Sequence, residues 1–302
     1  QRQDHAIDVL SSFSHLLNRR SVLANTRQNV DQSTYLRKRS EALFKVRRAT
    51  AIDVLRAQQQ ELSALNQLNV AESEYEVQKK RFLIQIGLPV DTTVAVEGAI
   101  PEQRPVPLEE MTGIRIGLQR RLDLRTERDR LQDARRVRRI AENSVLPDLR
   151  IGADVEWTAD ETEAFSDQEL EDRSSVDVTM TLPLDRRDER DALRRAEIRV
   201  DQAARDLEET MDTVRIEIVE NFSRLRSLAA TLDIERRNRE IAEKRVRNAE
   251  FRFRNGELSN RDVVEAENEL LNARNALSRA LVNYEIQRIR LLRNIGLLDV
   301  DR

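Results

Sequence analysis

Apolar residues recur at alternating steps of three and four over most of the chain, which predicts long amphipathic helices. The pattern is clearest after Gly256, where alternate positions of the seam are alanine as far as Ala280, so that neighbouring helices can approach closely. The seam consists of Val263, Ala266, Leu270, Ala273, Leu277, Ala280, Tyr284, Gln287 and Leu291. One such seam alone favours an isolated two-helix coiled coil. A second stripe beside it (Val264, Leu271, Leu281) predicts neighbours on both sides, as in a sheet-like or tubular array of helices.

Glycine and proline, which interrupt helices, are absent from residues 1–46, 53–86, 184–255 and 257–295. We therefore predict a helix from about Asp185 to Arg254, a turn at Asn255-Gly256 and an antiparallel helix to about Ile295. Gly256 suits the position after a helix end, and Ser259 or Asn260 can cap the next helix. Near residue 48 a similar turn is predicted without glycine, and Thr50 occupies its capping position.

The two turns belong to an internal repeat. Residues 53–88 align without a gap with residues 262–297, and the matches include two aspartates (Asp53 and Asp262) and two tyrosines (Tyr75 and Tyr284). Gapless similarity over this length indicates a tandem duplication of one helical hairpin.

Between the copies, residues 88–111 contain four of the six prolines, which predicts an irregular connector with at most one short strand, Thr93 to Val96. A helix rich in arginine is predicted after it, from about Leu108 to Ser144.

The hydrophobic period changes to two after Pro147. Two segments of about ten residues each present one apolar face, the length and pattern of transmembrane β-strands. Their apolar positions are Leu149, Ile151, Ala153, Val155 and Trp157, then Val176, Val178, Met180, Leu182 and Leu184. Trp157, at one end of the apolar run, suits an aromatic girdle at the membrane surface, and the acidic segment between the strands suits an external loop.

A soluble hairpin packed on a core is the alternative for these strands. The rest of the chain is long charged helices that offer no such core, and an isolated hairpin leaves open edges. A β-barrel assembled from several chains resolves both problems.

Composition narrows the possible functions. The 52 basic and 55 acidic residues nearly balance, so neither a nucleic-acid nor another polyanion partner is indicated. There is no cysteine, and His5 and His15 are the only histidines, so we expect no metal site, no cofactor and no enzyme activity. No apolar run approaches a transmembrane helix, and the first residues do not form a signal peptide.

The segment "FRFRNGELSNRDVVEAENELLNARNALSRALVNYEIQRIRLLRNIGLL", with "ATAIDVLRAQQQEL", "RRLDL" and "LPDL", resembles the TolC family of outer-membrane efflux and secretion channels. The resemblance implies a homotrimer whose strands form a shared β-barrel and whose helices form an α-helical tunnel across the periplasm. It also implies contact with outer-membrane lipid, a periplasmic adaptor (membrane fusion protein) and an inner-membrane transporter. The implied function is a passive exit duct for tripartite efflux or type I secretion in a Gram-negative-type outer membrane.

The fold class expected is mainly α, with long antiparallel helical hairpins in tandem and one transmembrane β-hairpin. We divide the chain into a first hairpin (1–88), a connector (89–107), an ascending helix (108–146), the β-hairpin (147–185) and a second hairpin (186–302). The family pattern has two β-hairpins and this chain has one. We therefore expect a fragment that lacks, by the repeat offset, on the order of a hundred N-terminal residues.

The resemblance implies that the two helix tips meet the adaptor. The tip residues are Val46, Arg47, Arg48, Ala49 and Thr50 in the first copy, and Asn255, Gly256, Glu257, Leu258 and Ser259 in the second. Turns that serve only to reverse the chain would look similar. Arg47 and Ala49 replace the glycine and leucine usual in the family.

Asp262 and Glu265 lie on one helical face just inside the tip, where the family forms its periplasmic aperture. Repeated around a threefold axis, they would form a ring of carboxylates that favours cations. The alternative is that such acids simply complement the helix dipole. Asp53 is equivalent to Asp262, whereas Arg56 stands where the second copy has Glu265. We hypothesise that Arg56, or Arg47 and Arg48, helps to hold the entrance closed.

A rival interpretation is a coiled-coil scaffold or adaptor-like periplasmic protein with a soluble β-hairpin. Adaptors have one helical hairpin, whereas the duplication here gives two. This difference favours the exit duct over an adaptor.

Overall fold

The computed structural model describes residues 2–158, 171–181 and 185–298, with the side chains of 156–158 and 171–173 excluded. The described part contains six helices and two strands. In chain order these are α1 (Arg2–Lys45), α2 (Ala51–Gln85), α3 (Glu110–Arg120), α4 (Leu122–Ser144), β1 (Asp148–Thr158), β2 (Glu171–Thr181), α5 (Arg187–Arg254) and α6 (Asn260–Asn294). The chain divides into two compact units, Gln1–Arg120 with Val214–Arg302, and Arg121–Thr213. These bounds confirm the predicted helical hairpins, while the functional division into five segments stays a prediction.

In the first unit, α1 and α2 form an antiparallel hairpin. Small residues at heptad spacing in α2 are buried, namely Ala57, Ala64 and Ala71. Ion pairs bridge the two helices above this seam, among them Arg37 Nε to Glu61 Oε2 at 2.6 Å and Arg27 Nη2 to Glu72 Oε1 at 2.9 Å. The close alanine contact predicted for the second copy is thus also present in the first.

The seam of α6 is buried as its heptad pattern predicts. Seven of its nine positions are buried, and Leu270 and Ala273 are half-buried. Near the tip, Val263 and Ala266 pack with Leu36 of α1 and Ala249 of α5. The second stripe (Val264, Leu271, Leu281) is half-buried. A helix with neighbours on more than one side, rather than an isolated pair, is therefore confirmed for α6.

The connector between the copies lies against the first unit. Tyr284 Oη donates to Arg104 O at 3.2 Å, and Arg20 Nη1 donates to Gly98 O at 3.1 Å. The short strand suggested for Thr93 to Val96 is not formed. The two strands in the described part pair with each other, so this segment has no ladder partner, which a strand requires.

The single helix predicted from Leu108 to Ser144 is divided at Arg121, whose backbone is extended (φ −65°, ψ 131°). The Asp123 carboxylate accepts hydrogen bonds from Arg121 Nε at 3.0 Å and from the Leu124 backbone N–H at 2.9 Å. These local contacts begin a new helix without glycine or proline, which is why the sequence pattern missed the break.

Close packing fixes α3 against the part of α5 in the first unit. A Cβ at Gly117 would lie 2.4 Å from Ile218 Cδ1, and one at Gly113 would lie 2.6 Å from Phe222 Cε2. Glycine at these two positions lets the helices approach more closely than any side chain would allow.

In the second unit, Leu124 and Leu131 of α4 are buried, as is Ala196 in the first part of α5. Strands β1 and β2 pair antiparallel, with Leu149 opposite Met180 and Ile151 opposite Val178. Apolar residues thus meet on one face of the hairpin, as the alternating pattern predicts. Trp157 lies in β1, but its side chain is outside the described residues, as are the acidic loop and Leu182 to Leu184.

Candidate functional site: the helix tips

The two tips make the same backbone hydrogen bonds at equivalent positions of the repeat. In the first, Arg47 N–H donates to Phe44 O at 2.9 Å and Arg48 N–H donates to Leu43 O at 2.8 Å. In the second, Gly256 N–H donates to Phe253 O at 3.1 Å and Glu257 N–H donates to Arg252 O at 2.9 Å. This pair of bonds is the Schellman motif, which satisfies the last carbonyls of a helix. The duplication therefore extends to the hydrogen bonds of the turns.

Each tip needs one residue in the left-handed backbone region. Gly256 has φ 77° and Arg47 has φ 58°. Glycine adopts this conformation freely, whereas an arginine adopts it at a cost of roughly 1–2 kcal/mol. The replacement of glycine by Arg47, noted from the sequence, has not changed the turn.

Exposure differs among the predicted docking residues. Most are exposed, and Val46 presents 64% of its surface to solvent. Ala49 and Leu258 are half-buried, and Leu258 packs against the cluster of Leu36, Ala249 and Val263. Leu258 therefore also anchors its turn to the helices behind it.

The aspartates of the predicted aperture cap their helices. Asp53 Oδ2 accepts from Thr50 N–H at 3.0 Å and from Thr50 Oγ1 at 2.6 Å. Asp262 Oδ2 accepts from Ser259 N–H at 3.0 Å and from Ser259 Oγ at 2.7 Å. These bonds complete capping boxes at Thr50 and Ser259. The capping role predicted for Thr50, and for Ser259 as one of two candidates, is confirmed.

The capping bonds also favour the ionised form of both aspartates. The Thr50 hydroxyl and then its backbone N–H lower the pKa of Asp53, and the Ser259 hydroxyl and backbone N–H lower the pKa of Asp262. A hydrogen bond donated to a carboxylate favours its charged form. Asp53 and Asp262 can thus each cap a helix and also carry a negative charge near the tip.

Glu265 and Arg56 are both exposed, and the structure does not pair them within the subunit. Glu265 Oε1 instead lies 3.7 Å from Arg245 Nη2 of α5, and Arg245 also contacts Glu269. Arg245 was not singled out from the sequence. Arg245 and Glu265 are equally far in sequence from Asn255, one before the turn and one after it. An antiparallel hairpin therefore brings the two side chains together.

Asn260 joins the tips of the two copies. It is 1% exposed, and its Nδ2 donates to Asp53 O at 3.0 Å and to Ser40 Oγ at 3.2 Å. The sequence suggested Asn260 only as a possible cap, a role that Ser259 takes. Polar residues are rarely buried without a partner, and here the partners come from the other copy of the repeat.

No metal site is associated with this region. Within residues 2–158, 171–181 and 185–298, no group of three or more His, Cys, Asp or Glu side chains could hold a metal ion.

Comparison with known proteins identifies the family. The sequence profile of the outer membrane efflux protein family matches residues 114–297, more than half of the chain. The chain belongs to the outer membrane efflux protein family. Membership confirms the predicted family and its outer-membrane localisation, and it agrees with the expectation that the chain is not an enzyme. A search of curated proteins found no match.

Solved structures confirm the fold. The outer-membrane channel OprN superposes with a TM-score of 0.76 at 20% identity, covering 97% of this chain and 66% of OprN. VceC from Vibrio cholerae gives 0.74 at 19% identity, covering 98% and 70%. The Campylobacter jejuni CmeC channel gives 0.71 at 16% identity, covering 100% and 64%. This chain thus spans about two thirds of these channels and shares their fold of long helical hairpins with a β-hairpin.

Proposed function

We propose that the protein is a subunit of a passive, homotrimeric exit duct in the outer membrane, serving tripartite efflux or type I secretion. Family membership supports an efflux role, and the fold shared with solved outer-membrane channels supports a duct whose wall is made of long helical hairpins from three subunits. An inner-membrane transporter would supply the energy, and a periplasmic adaptor would connect it to the helix tips.

The exposed apolar face of the β-hairpin carries the proposal. Ile151 is 72% exposed, Val176 is 75% exposed and Val178 is 65% exposed. Strands that packed on a protein core would bury this face. Apolar side chains on alternate positions of a strand suit lipid on one side and a polar lumen on the other. A barrel shared among three subunits would also pair the hairpin's open edges.

Across the described ranges, no helix combines the length and the apolarity needed to cross a membrane.

Docking of the adaptor is proposed for the exposed parts of the two tips. Their common turn geometry presents Val46 and Arg48 in one copy and Asn255 and Glu257 in the other. An adaptor that binds both tips would contact a basic surface on the first tip. On the second tip it would contact Glu257, whose charge is paired with Arg252 at 3.1 Å.

The periplasmic aperture is proposed at the level of Asp53, Asp262 and Glu265. Their negative charge would favour cations at a constriction around the threefold axis. Within the subunit Glu265 shares Arg245 with Glu269, whereas Arg56 is a charged neighbour of Asp53 and Arg261 of Asp262. Arg56 is not paired with Glu265 within the described subunit. A closing contact by Arg56 would then have to come from a neighbouring subunit.

Envelope fractionation with cross-linking tests the proposal. The protein, produced from its complete gene, is expected in the outer-membrane fraction as a trimer, and a photo-cross-linker at Val46 is expected to capture the adaptor. A cross-linker at Glu240, an exposed position on α5 away from the tip, is the control. Recovery as a monomer in the soluble fraction would favour the coiled-coil scaffold instead.

A further inference from the structure

A cavity of about 240 Å³ lies in the first unit among α1, α5 and α6, away from the proposed aperture residues. Its polar wall includes Asn29 of α1 and Glu267 of α6, and Val246 and Leu271 contribute apolar surface. One water occupies about 30 Å³ of liquid volume, so the space exceeds that of a single bridging water.

Two buried polar atoms on this wall lack hydrogen-bond partners in the described part of the chain. They are Glu267 Oε2, on a residue 8% exposed, and Asn29 Nδ2, on a residue 6% exposed. One is an acceptor and the other a donor. Buried polar groups are nearly always hydrogen-bonded, and leaving one unsatisfied costs about 1–3 kcal/mol. An unsatisfied donor and acceptor on one cavity wall therefore mark two hydrogen-bonding positions for an occupant, which is water when no ligand is bound.

The charges around the cavity indicate the sign of the charge on that occupant. The two other lining carboxylates have arginine neighbours outside the lining, since Glu243 lies 3.6 Å from Arg239 and Glu250 lies 4.0 Å from Arg254. Among the described residues, Glu267 has no ion-pair partner. Its carboxylate is therefore free to pair with a cationic group of an occupant.

Two arginines, Arg247 and Arg274, also line the cavity, but in the described part of the chain neither forms an ion pair with Glu267. Burial and then the carboxylate of Glu250, a neighbouring negative charge, raise the pKa of Glu267. Arg274 Nη1 donates to Gln28 Oε1 at 2.7 Å, and Arg247 is exposed, so that solvent screens its charge.

We propose that this cavity binds a small organic ammonium compound that also carries a hydroxyl or carbonyl acceptor, such as an aromatic amino alcohol. The ammonium group donates to Glu267, the acceptor receives the Asn29 amide N–H, and the apolar part lies against Val246 and Leu271. A carboxylate paired with an ammonium group forms a charge-assisted hydrogen bond, about twice as strong as a neutral one.

Isothermal titration of the folded protein in detergent with 2-amino-1-phenylethanol tests the proposal. We expect binding at about pH 8, and roughly tenfold or greater weakening in Glu267→Gln, which keeps the shape of the side chain and removes its charge. Asn29→Leu should weaken binding as well. The matched control Glu240→Gln, exposed on α5, should leave the affinity unchanged.

Two comparisons on the unaltered protein keep the test decisive if a variant does not fold. Phenylethane-1,2-diol, with a hydroxyl in place of the ammonium group, should bind roughly tenfold more weakly. Affinity for the amino alcohol should fall between about pH 8 and pH 5.5, because burial and then Glu250 raise the pKa of Glu267 to about 7 while the ammonium stays protonated. Absence of binding, equal affinity for both compounds, or full affinity in Glu267→Gln and Asn29→Leu would overturn the proposal.

Discussion

Arg47 and Gly256, at equivalent positions of the two repeats, adopt the same left-handed backbone conformation, with φ values of 58° and 77°. The turn hydrogen bonds on either side are also the same. The two tips therefore have the same geometry although the first copy has arginine where the second has glycine, the residue that adopts this conformation most easily. Selection for a particular tip shape, as the proposed docking of an adaptor would require, would produce this pattern.

Arg47→Gly is expected to stabilise the protein by about 1 kcal/mol, because glycine removes the steric cost of the left-handed conformation. Equilibrium unfolding in detergent measures the change. Arg48→Gly is the matched control, since Arg48 is equally exposed and its φ is not positive. Equal effects of the two substitutions would show that strain at Arg47 is not released.

Gly256→Ala is expected to destabilise the protein by about 1 kcal/mol. A Cβ at Gly256 would meet no atom within 4 Å, so the loss would come from backbone strain and not from a clash. The same unfolding measurement gives the value. If Gly256→Ala were neutral, the turn would not depend on its left-handed residue.

Glu267→Gln is expected to stabilise the protein at about pH 8 and to have little effect at about pH 4. Burial and then Glu250 raise the pKa of Glu267 from 4.5 to about 7. The folded state therefore holds this proton more tightly than the unfolded state, and stability falls as the pH rises from 4.5 through about 7. A rise of the pKa from 4.5 to about 7 corresponds to a gain of about 3 kcal/mol for the variant above pH 7.

Unfolding midpoints of the unaltered protein and Glu267→Gln, measured across this pH range, check the prediction. The two curves should converge at low pH, where Glu267 is protonated in both states. A constant difference at all pH values would mean that the carboxylate charge is not the cause.

Val178→Arg is expected to reduce outer-membrane assembly, since an arginine facing lipid near the bilayer midplane costs about 2–4 kcal/mol. Thr179→Arg places the same residue on the opposite face of β2 and should be tolerated. The yield of trimer in the outer-membrane fraction measures both. Equal losses would indicate that the apolar face of the hairpin does not meet lipid.

The heptad and alternating patterns were sufficient to predict the helices, their order and the face of the hairpin that is apolar. They could not predict the break at Arg121, which depends on the hydrogen bonds of one aspartate, Asp123. Pairing of Arg245 with Glu265 could have been predicted from their equal distances from the turn.

Burial of Asn260 and Glu267 was beyond sequence reasoning, because it depends on the packing of α1 against α6: Asn260 bonds to Ser40 of α1, and Glu267 lines a cavity together with Asn29 of α1. That packing has no local signal in the sequence.

The aspartates of the candidate aperture were located from the family resemblance and the repeat. Caps at Thr50 and Ser259 were predicted from the sequence, whereas the bonds by which Asp53 and Asp262 complete them were found only in the structure. The position of the aspartates relative to a threefold axis stays a prediction.

Single-channel conductance of the purified protein in planar lipid bilayers tests the central claim most directly. The account predicts a stable, cation-selective pore whose selectivity falls in Asp262→Lys, while Glu240→Lys, exposed on α5, leaves it unchanged. A protein that inserts into bilayers without conducting, or that never leaves the aqueous phase, would contradict the conduit and favour a coiled-coil scaffold.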